Sequence, residues 1–165
     1  MDTLDYSGEG LNAGSKVVIA AYGDVKRNLA TNVPARLLDL NMDASLVMPG
    51  VIAVNASTYT TAALQNALIG QSEALLAQEG VVFIVRTEDP KWMASALNNF
   101  LWAAFTRTNP SHDIDAIDAF TVNKHWGAKG PLVFDATIKP HHAPPVLKDA
   151  AVEKRVDAIL EKYGY

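Results

Sequence analysis

Apolar residues follow two rhythms along this chain. Short unbroken runs occur at Val17-Val18-Ile19-Ala20-Ala21, Val51-Ile52-Ala53-Val54, Val81-Val82-Phe83-Ile84-Val85 and Leu132-Val133-Phe134-Asp135. Continuous runs of this length, bounded by turn-forming residues, predict short buried strands. Between them, Leu64, Leu68, Leu75 and Leu76 recur at near-helical spacing, as do Met93, Leu97, Phe100, Leu101, Ala104 and Phe105. That spacing predicts two helices with a core-facing stripe. Ser57 or Thr58 can cap the first, and Gly80 is the expected stop. Asp89 as cap with Pro90 in the first turn opens the second, which Asn109-Pro110 ends. Pro34 is expected to open a short helix through Leu37, Leu38 and Leu40, within a stretch of mixed signals from Lys26 to Met48. Residues 113–120 begin with strand-like alternation. A last helix is expected from Asp149 to Lys162, where Val152, Val156, Ile159 and Leu160 form a stripe opposite charged residues and require a partner surface.

Alternating strands and helices argue an α/β fold: one domain with a largely parallel sheet of about four or five strands, helices on both faces and a C-terminal amphipathic helix. Residues 1–15, rich in Gly, Asp and Ser, read as a flexible arm, and residues 16–165 as the domain.

Composition narrows the class. With 49% hydrophobic and 19% charged residues, the chain can form its own core and is not a disordered one. Its 14 basic residues against 18 acidic give a net charge of −4, so nucleic acid is not an expected partner. There is no Cys, which removes disulfides, thiolate metal clusters and thiol nucleophiles. An acidic start without a signal peptide, and no apolar run near the ~18 residues a membrane span needs, make the cytoplasm the expected compartment and a membrane no partner.

Few constellations carry chemistry by themselves. Tyr22-Gly23-Asp24 lacks the spaced glycines of a dinucleotide loop and reads as a turn. Asp113, Asp115 and Asp118 lack the ligand ladder of a calcium loop. His112, His125, His141 and His142 cluster in sequence without a metal-binding spacing, so no metal site is expected. No Gly-x-Ser-x-Gly elbow marks a hydrolase, and Trp92, Trp102 and Trp126 read as packing residues. Arg107 stands at the end of a strongly apolar helix. It can face that helix's carbonyls, pair with an acid such as Asp113, or hold a carboxylate or phosphate in a cleft at the strands' carboxyl ends.

Four segments together, FIVRTEDP (83–90), LNNFLWAAFTRTNPSHDI (97–114), GPLVFDATIKP (130–140) and LKDAAVEKRVDAIL (147–160), resemble the C-terminal domain of the UbiD family of decarboxylases. The matching features are Trp102-Ala103, Thr106-Arg107 with Pro110 and Asp113, and Asp135-Ala136-Thr137 with Lys139. Residues 48–54 and the helix after them extend the resemblance to about residues 16–160. The resemblance implies reversible decarboxylation of aromatic or α,β-unsaturated acids on prenylated flavin mononucleotide. In that family a Glu-Arg-Glu trio and a phosphate-bound metal, both on a separate flavin domain, assist the reaction.

None of those catalytic groups maps onto this sequence, and a basic residue of the family's first helix is replaced around Gln65-Asn66. The resemblance therefore implies a non-catalytic accessory or oligomerisation subunit, like the small subunits of phenylphosphate carboxylase-like complexes. The flavin and metal would lie in a larger catalytic partner, with none bound by this chain alone. Arg107, Asp113, Asp135, Thr137 and Lys139 are the candidate cleft residues. Trp102, Phe105, Val152, Val156, Ile159 and Leu160 are the candidate interface, toward that partner or a second copy. The alternatives are a small decarboxylase active alone, with Arg107 as carboxylate clamp, and a module binding flavin or aromatic acid.

Overall fold

The computed structural model describes residues 14–57, 60–143, 147 and 149–164. Its centre is a five-stranded sheet in the order β1-β2-β3-β7-β4. These strands are β1 (Ala44–Met48), β2 (Val51–Asn55), β3 (Phe83–Thr87), β7 (Leu132–Asp135) and β4 (Ile114–Ala116). β2, β3 and β7 run parallel, while β1 and β4 are antiparallel edges. The sheet is thus mixed, where the apolar runs alone predict a largely parallel one. The reason at β1 is local: only Pro49 and Gly50 separate it from β2, and so short a link can join only antiparallel strands. Gly50 takes φ +80 there, and an added Cβ would sit 3.1 Å from Leu29 Cδ2 and 3.2 Å from Gly80 O.

Period-two alternation sends the parallel strands' side chains to two cores. Ile52, Val54, Ile84 and Val133 pack on one face with Leu64 and Leu68 of α2 (Thr61–Leu68) and with Leu75 of a π-helical turn (Ala74–Gln78). Val51, Ala53 and Val85 pack on the other with Met93 of α3 (Pro90–Ser95) and Ala103 of α4 (Leu97–Arg107). Helices therefore cover both faces, as expected of an α/β domain.

Residues 17–21 do not form a strand. They run outside the sheet without regular structure, and Val18 is 90% exposed. The place beside β2 is already taken by β1, whose two-residue link makes pairing entropically cheap. The short helix at Pro34 is α1 (Ala35–Leu38), with Leu37 buried.

The first long helix starts later and is broken. Thr60, not Ser57, caps α2, its hydroxyl accepting from the Ala63 N–H at 3.1 Å. Ser57 instead bonds Asn55, and Thr58 lies outside the described residues. Gly70, at φ +74, separates α2 from the π-helical turn. The second helix opens at Asp89, which accepts from the Trp92 N–H at 2.9 Å. It divides at Ala96, in extended conformation. Asn99 Nδ2 spans that break, donating to Trp92 O and Ser95 Oγ, both at 3.0 Å. Pro110 opens α5 (Pro110–Asp113).

The strand-like alternation of residues 113–120 divides between β4 and β5 (Ala119–Val122). β5 pairs with β6 (His125–Ala128) in a separate hairpin whose turn residues, Asn123 and Lys124, both have positive φ. A Cβ on Gly127 would approach the Phe120 ring to 2.6 Å, so the ring lies over the glycine and shields the backbone. Gly127→Ala is expected to displace Phe120 and weaken the hairpin by about 1 kcal/mol. Faster amide exchange confined to residues 119–128 would show it; unchanged exchange there would refute it.

The last helix is α6 (Ala150–Tyr163), capped by Asp149, which accepts from the Ala151 and Val152 N–H groups at 2.8 and 3.3 Å. No residue of α6 is buried. Among the described residues no helix is long and apolar enough to cross a membrane.

Candidate functional site

Two apolar strand runs end in opposite charges, VFIVR at Arg86 and LVFD at Asp135. The parallel register of β3 and β7 places these residues side by side. Arg86, only 7% exposed, bonds Asp135 Oδ2 through Nη1, which also reaches Thr61 Oγ1 at 3.0 Å; Nη2 reaches the Ala56 carbonyl at 3.4 Å. The other Asp135 oxygen accepts from Thr137, from the hydroxyl at 2.6 Å and the backbone N–H at 3.1 Å. Four residues beyond Asp135, the Lys139 ammonium reaches back to the strand end.

The Lys139 ammonium donates to two carbonyls and forms an ion pair with a carboxylate. Asp135 O lies at 2.7 Å, Arg107 O at 2.9 Å and Asp113 Oδ2 at 3.2 Å. β7, the carboxyl end of α4 and α5 are thereby fastened to one nitrogen. Asp113 Oδ2 also accepts from the Asn109 N–H at 2.7 Å, and the Thr108 hydroxyl donates to Asp135 O at 3.3 Å. The Arg107 side chain is 14% exposed: Nη1 meets the half-exposed Glu88, Oε2 at 3.1 Å, and the guanidinium lies 5.1 Å from the Trp102 ring centre. The second Glu88 oxygen accepts from the Ile138 N–H at 2.6 Å.

All five candidate cleft residues, Arg107, Asp113, Asp135, Thr137 and Lys139, thus converge at the carboxyl ends of β3 and β7. Sequence reasoning missed Arg86 and Glu88, and it weighed His142 only as one of four clustered imidazoles. A charge closing an apolar strand that must be buried in a parallel sheet was the available signal, since such a charge needs a partner. Of the candidate interface residues, Trp102 borders the cluster through Arg107. Trp102 and Phe105 are exposed on α4, and Val152, Val156, Ile159 and Leu160 line α6.

The remaining candidates do not assemble. Asp115 Oδ1 accepts from the Ala116 N–H and Asp118 Oδ1 from the Gly70 N–H, so the three aspartates serve separate turns. His112 bonds Ser111, His125 lies on β6, and only His141 and His142 meet, edge to face at 4.6 Å. Tyr22, Gly23 and Asp24 are exposed.

The electrostatics of the cluster are closed. Burial pushes the Asp135 carboxyl up, but the Thr137 hydroxyl and N–H, then Lys139 and Arg86, outweigh it and hold it below the usual carboxylate range. Asp135 is therefore an ionised structural anion at neutral pH and not a proton donor. Arg86 faces Asp135, Arg107 faces Glu88 and Lys139 faces Asp113, which balances three cations against three carboxylates. A phosphate or carboxylate ligand would have to displace one of those partners: at Asp135 or Asp113 this leaves a largely buried carboxylate without its counter-charge, whereas the 46% exposed Glu88 would pass to solvent. Arg86 and Lys139 therefore do not fit a flavin phosphate, and the carboxylates that could face a metal already bind cations.

No family model matches the chain. Curated relatives do, over almost its whole length. An uncharacterized protein of Chlamydia muridarum is 27% identical over 166 residues, covering 98% of this chain and 27% of the relative. A Chlamydia pneumoniae protein named as one of the subunits of 4-hydroxybenzoate decarboxylase is 25% identical over 165 residues, with the same coverage of each. The chain thus spans about a quarter of the length of the relatives it matches. Among solved structures, an evolved dimeric form of the UbiD-class enzyme HmfF from Pelotomaculum thermopropionicum, in complex with prFMN, superposes with a TM-score of 0.43 at 15% identity. That superposition covers 74% of this chain and 27% of the enzyme. Nearly all of this chain is thus similar in sequence to about one quarter of a chlamydial protein named as a subunit of 4-hydroxybenzoate decarboxylase.

Proposed function

We propose that this chain contributes surface and not chemistry to a UbiD-type aromatic acid decarboxylase or carboxylase, as an accessory or oligomerisation element beside a larger catalytic partner. The observation carrying this reading is the saturation of the candidate cleft. Each cation there is matched by a carboxylate, and Lys139 also donates to two carbonyls. Chemistry on a carboxylic acid substrate needs an uncommitted cation to orient it and an acid or base of shifted pKa within reach. Glu88 occupies the one guanidinium, Arg107, that a clamp mechanism would use. That disfavours a decarboxylase acting alone.

Two exposed apolar surfaces support the docking role. Phe105 is 75% exposed beside Trp102 on α4, and the α6 stripe of Val152, Val156, Ile159 and Leu160 has no covering element among the described residues. Side chains of this kind commonly form the buried centre of an interface. Prenylated flavin and its metal belong, on this reading, to the partner.

The test supplies the purified chain with prenylated flavin mononucleotide and 4-hydroxybenzoate, the acid in the name of the chlamydial relative, and follows carbon dioxide. No turnover by the chain alone, and co-elution with a flavin-containing UbiD-type protein, are the expected results. Carbon dioxide release without a second polypeptide would overturn the proposal.

A further inference from the structure

We infer that His142 is a proton-sensitive catch, whose neutral imidazole alone can hold the turn of residues 139–142 closed. Two reciprocal bonds fasten this turn. The Lys139 N–H donates to His142 Nδ1 at 3.1 Å, and the His142 N–H donates to the Lys139 carbonyl at 3.0 Å. A ring nitrogen that accepts carries no proton, so the neutral ring bears its hydrogen on Nε2. That nitrogen is shut off from solvent and meets no hydrogen-bond partner among the described residues.

A second proton would convert Nδ1 into a donor facing a donor. It would also place a cation where neither ring N–H has an acceptor, which is costly away from water. The surroundings add to the penalty. Lys139 on the same turn and Arg107 at the end of α4 are cations, and the His141 ring lies 4.6 Å away. Asp113 of α5 is the carboxylate that opposes them, and it already binds Lys139 Nζ and the Asn109 N–H. Burial first, then His141, Lys139 and Arg107, hold the ring below its ordinary value of 6.5 against Asp113.

The direction of the response follows. The folded turn binds its proton less readily than the open one, so closure is complete above about pH 6.5. It weakens as the pH falls, by at most about tenfold per unit, until the folded ring itself titrates. Because the turn carries Lys139, whose ammonium fastens α4, α5 and β7, acidification loosens the cluster at the point where the chain leaves β7 for α6. This inference does not depend on the proposed function.

Nuclear magnetic resonance of the full chain between pH 8 and 5 tests it, following the Lys139 amide and the His142 ring together. The Lys139 amide is expected to shift with the His142 midpoint, below 6.5, and to lose protection several-fold. His142→Asn sets an unprotonatable carbonyl near the place of Nδ1 and should abolish the response, while His141→Asn should keep it. A Lys139 amide blind to pH, a His142 midpoint at or above 6.5, or a response surviving in His142→Asn would each overturn the inference. The wild-type titration decides the matter even if the variant folds poorly.

Discussion

Replacing Arg86 by methionine is expected to lower folding stability by about 3 kcal/mol, the lower end of what breaking a buried ion pair costs. The side chains of Arg86 and Asp135 are 8% and 21% exposed, so water cannot fully replace the guanidinium. Thr61 and the Ala56 carbonyl lose a donor with it. For a chain of this size the loss corresponds to roughly 6–12 °C in Tm. Since Asp135 keeps Thr137 and Lys139, a double-mutant cycle separates the pair from its neighbours. Asp135→Asn preserves the shape and the Thr137 contacts, and the double variant should lose at least about 1 kcal/mol less than the sum of the singles. Additivity within about 0.5 kcal/mol would mean that Arg86 stabilises the strand end by packing alone.

Where sequence and structure agree, the signal is local and strong. The runs of β2, β3 and β7 are apolar because both faces are covered, and Asp89 and Asp149 cap helices because their carboxylates reach free N–H groups at once. Where they part, a competitor decides. Residues 17–21 have strand-like character, yet the sheet edge goes to β1 through a two-residue link. β6 escapes notice because His125-Trp126-Gly127-Ala128 carries no alternation and its turn is Asn-Lys instead of Asn-Gly. The long helices break at Gly70 and Ala96, which a periodic leucine pattern passes over.

The five candidate cleft residues do lie together, but the weight among them shifts. Arg107 attracts attention because it ends an apolar helix, but it is taken up by the half-exposed Glu88 and by Trp102. The residue that organises the strand ends is Arg86, hidden inside an apolar run. Register alone pairs it with Asp135, and register is invisible without the order of strands. A site that looks like a cleft from its composition is, by its pairing, a clasp holding the carboxyl ends of two strands to the corner between α4 and α5.

Lys139→Met is the sharpest test of that clasp, with an expected loss of about 4 kcal/mol. Methionine retains much of the aliphatic stem, so the effect isolates the ammonium. The Arg107 carbonyl loses its donor, the Asp135 carbonyl keeps only the longer bond from the Thr108 hydroxyl, and Asp113, 14% exposed, loses its counter-charge. Each unsatisfied buried group costs ~1–3 kcal/mol. Lys139→Arg should not restore the loss, because a planar guanidinium cannot direct three N–H groups at oxygens arranged around one nitrogen. Acid titration supplies a second reading. Asp135 is held below its unfolded value, near 3.9, so its contribution is complete above about pH 3.9 and is lost as the pH falls through the lower folded value. Without Lys139 the folded value rises toward the unfolded one, and the stability change between about pH 4 and 2 becomes shallower. A variant that loses under about 1 kcal/mol, or whose acid limb is as steep as the wild type's, would show that the ammonium rests on these oxygens without fastening them.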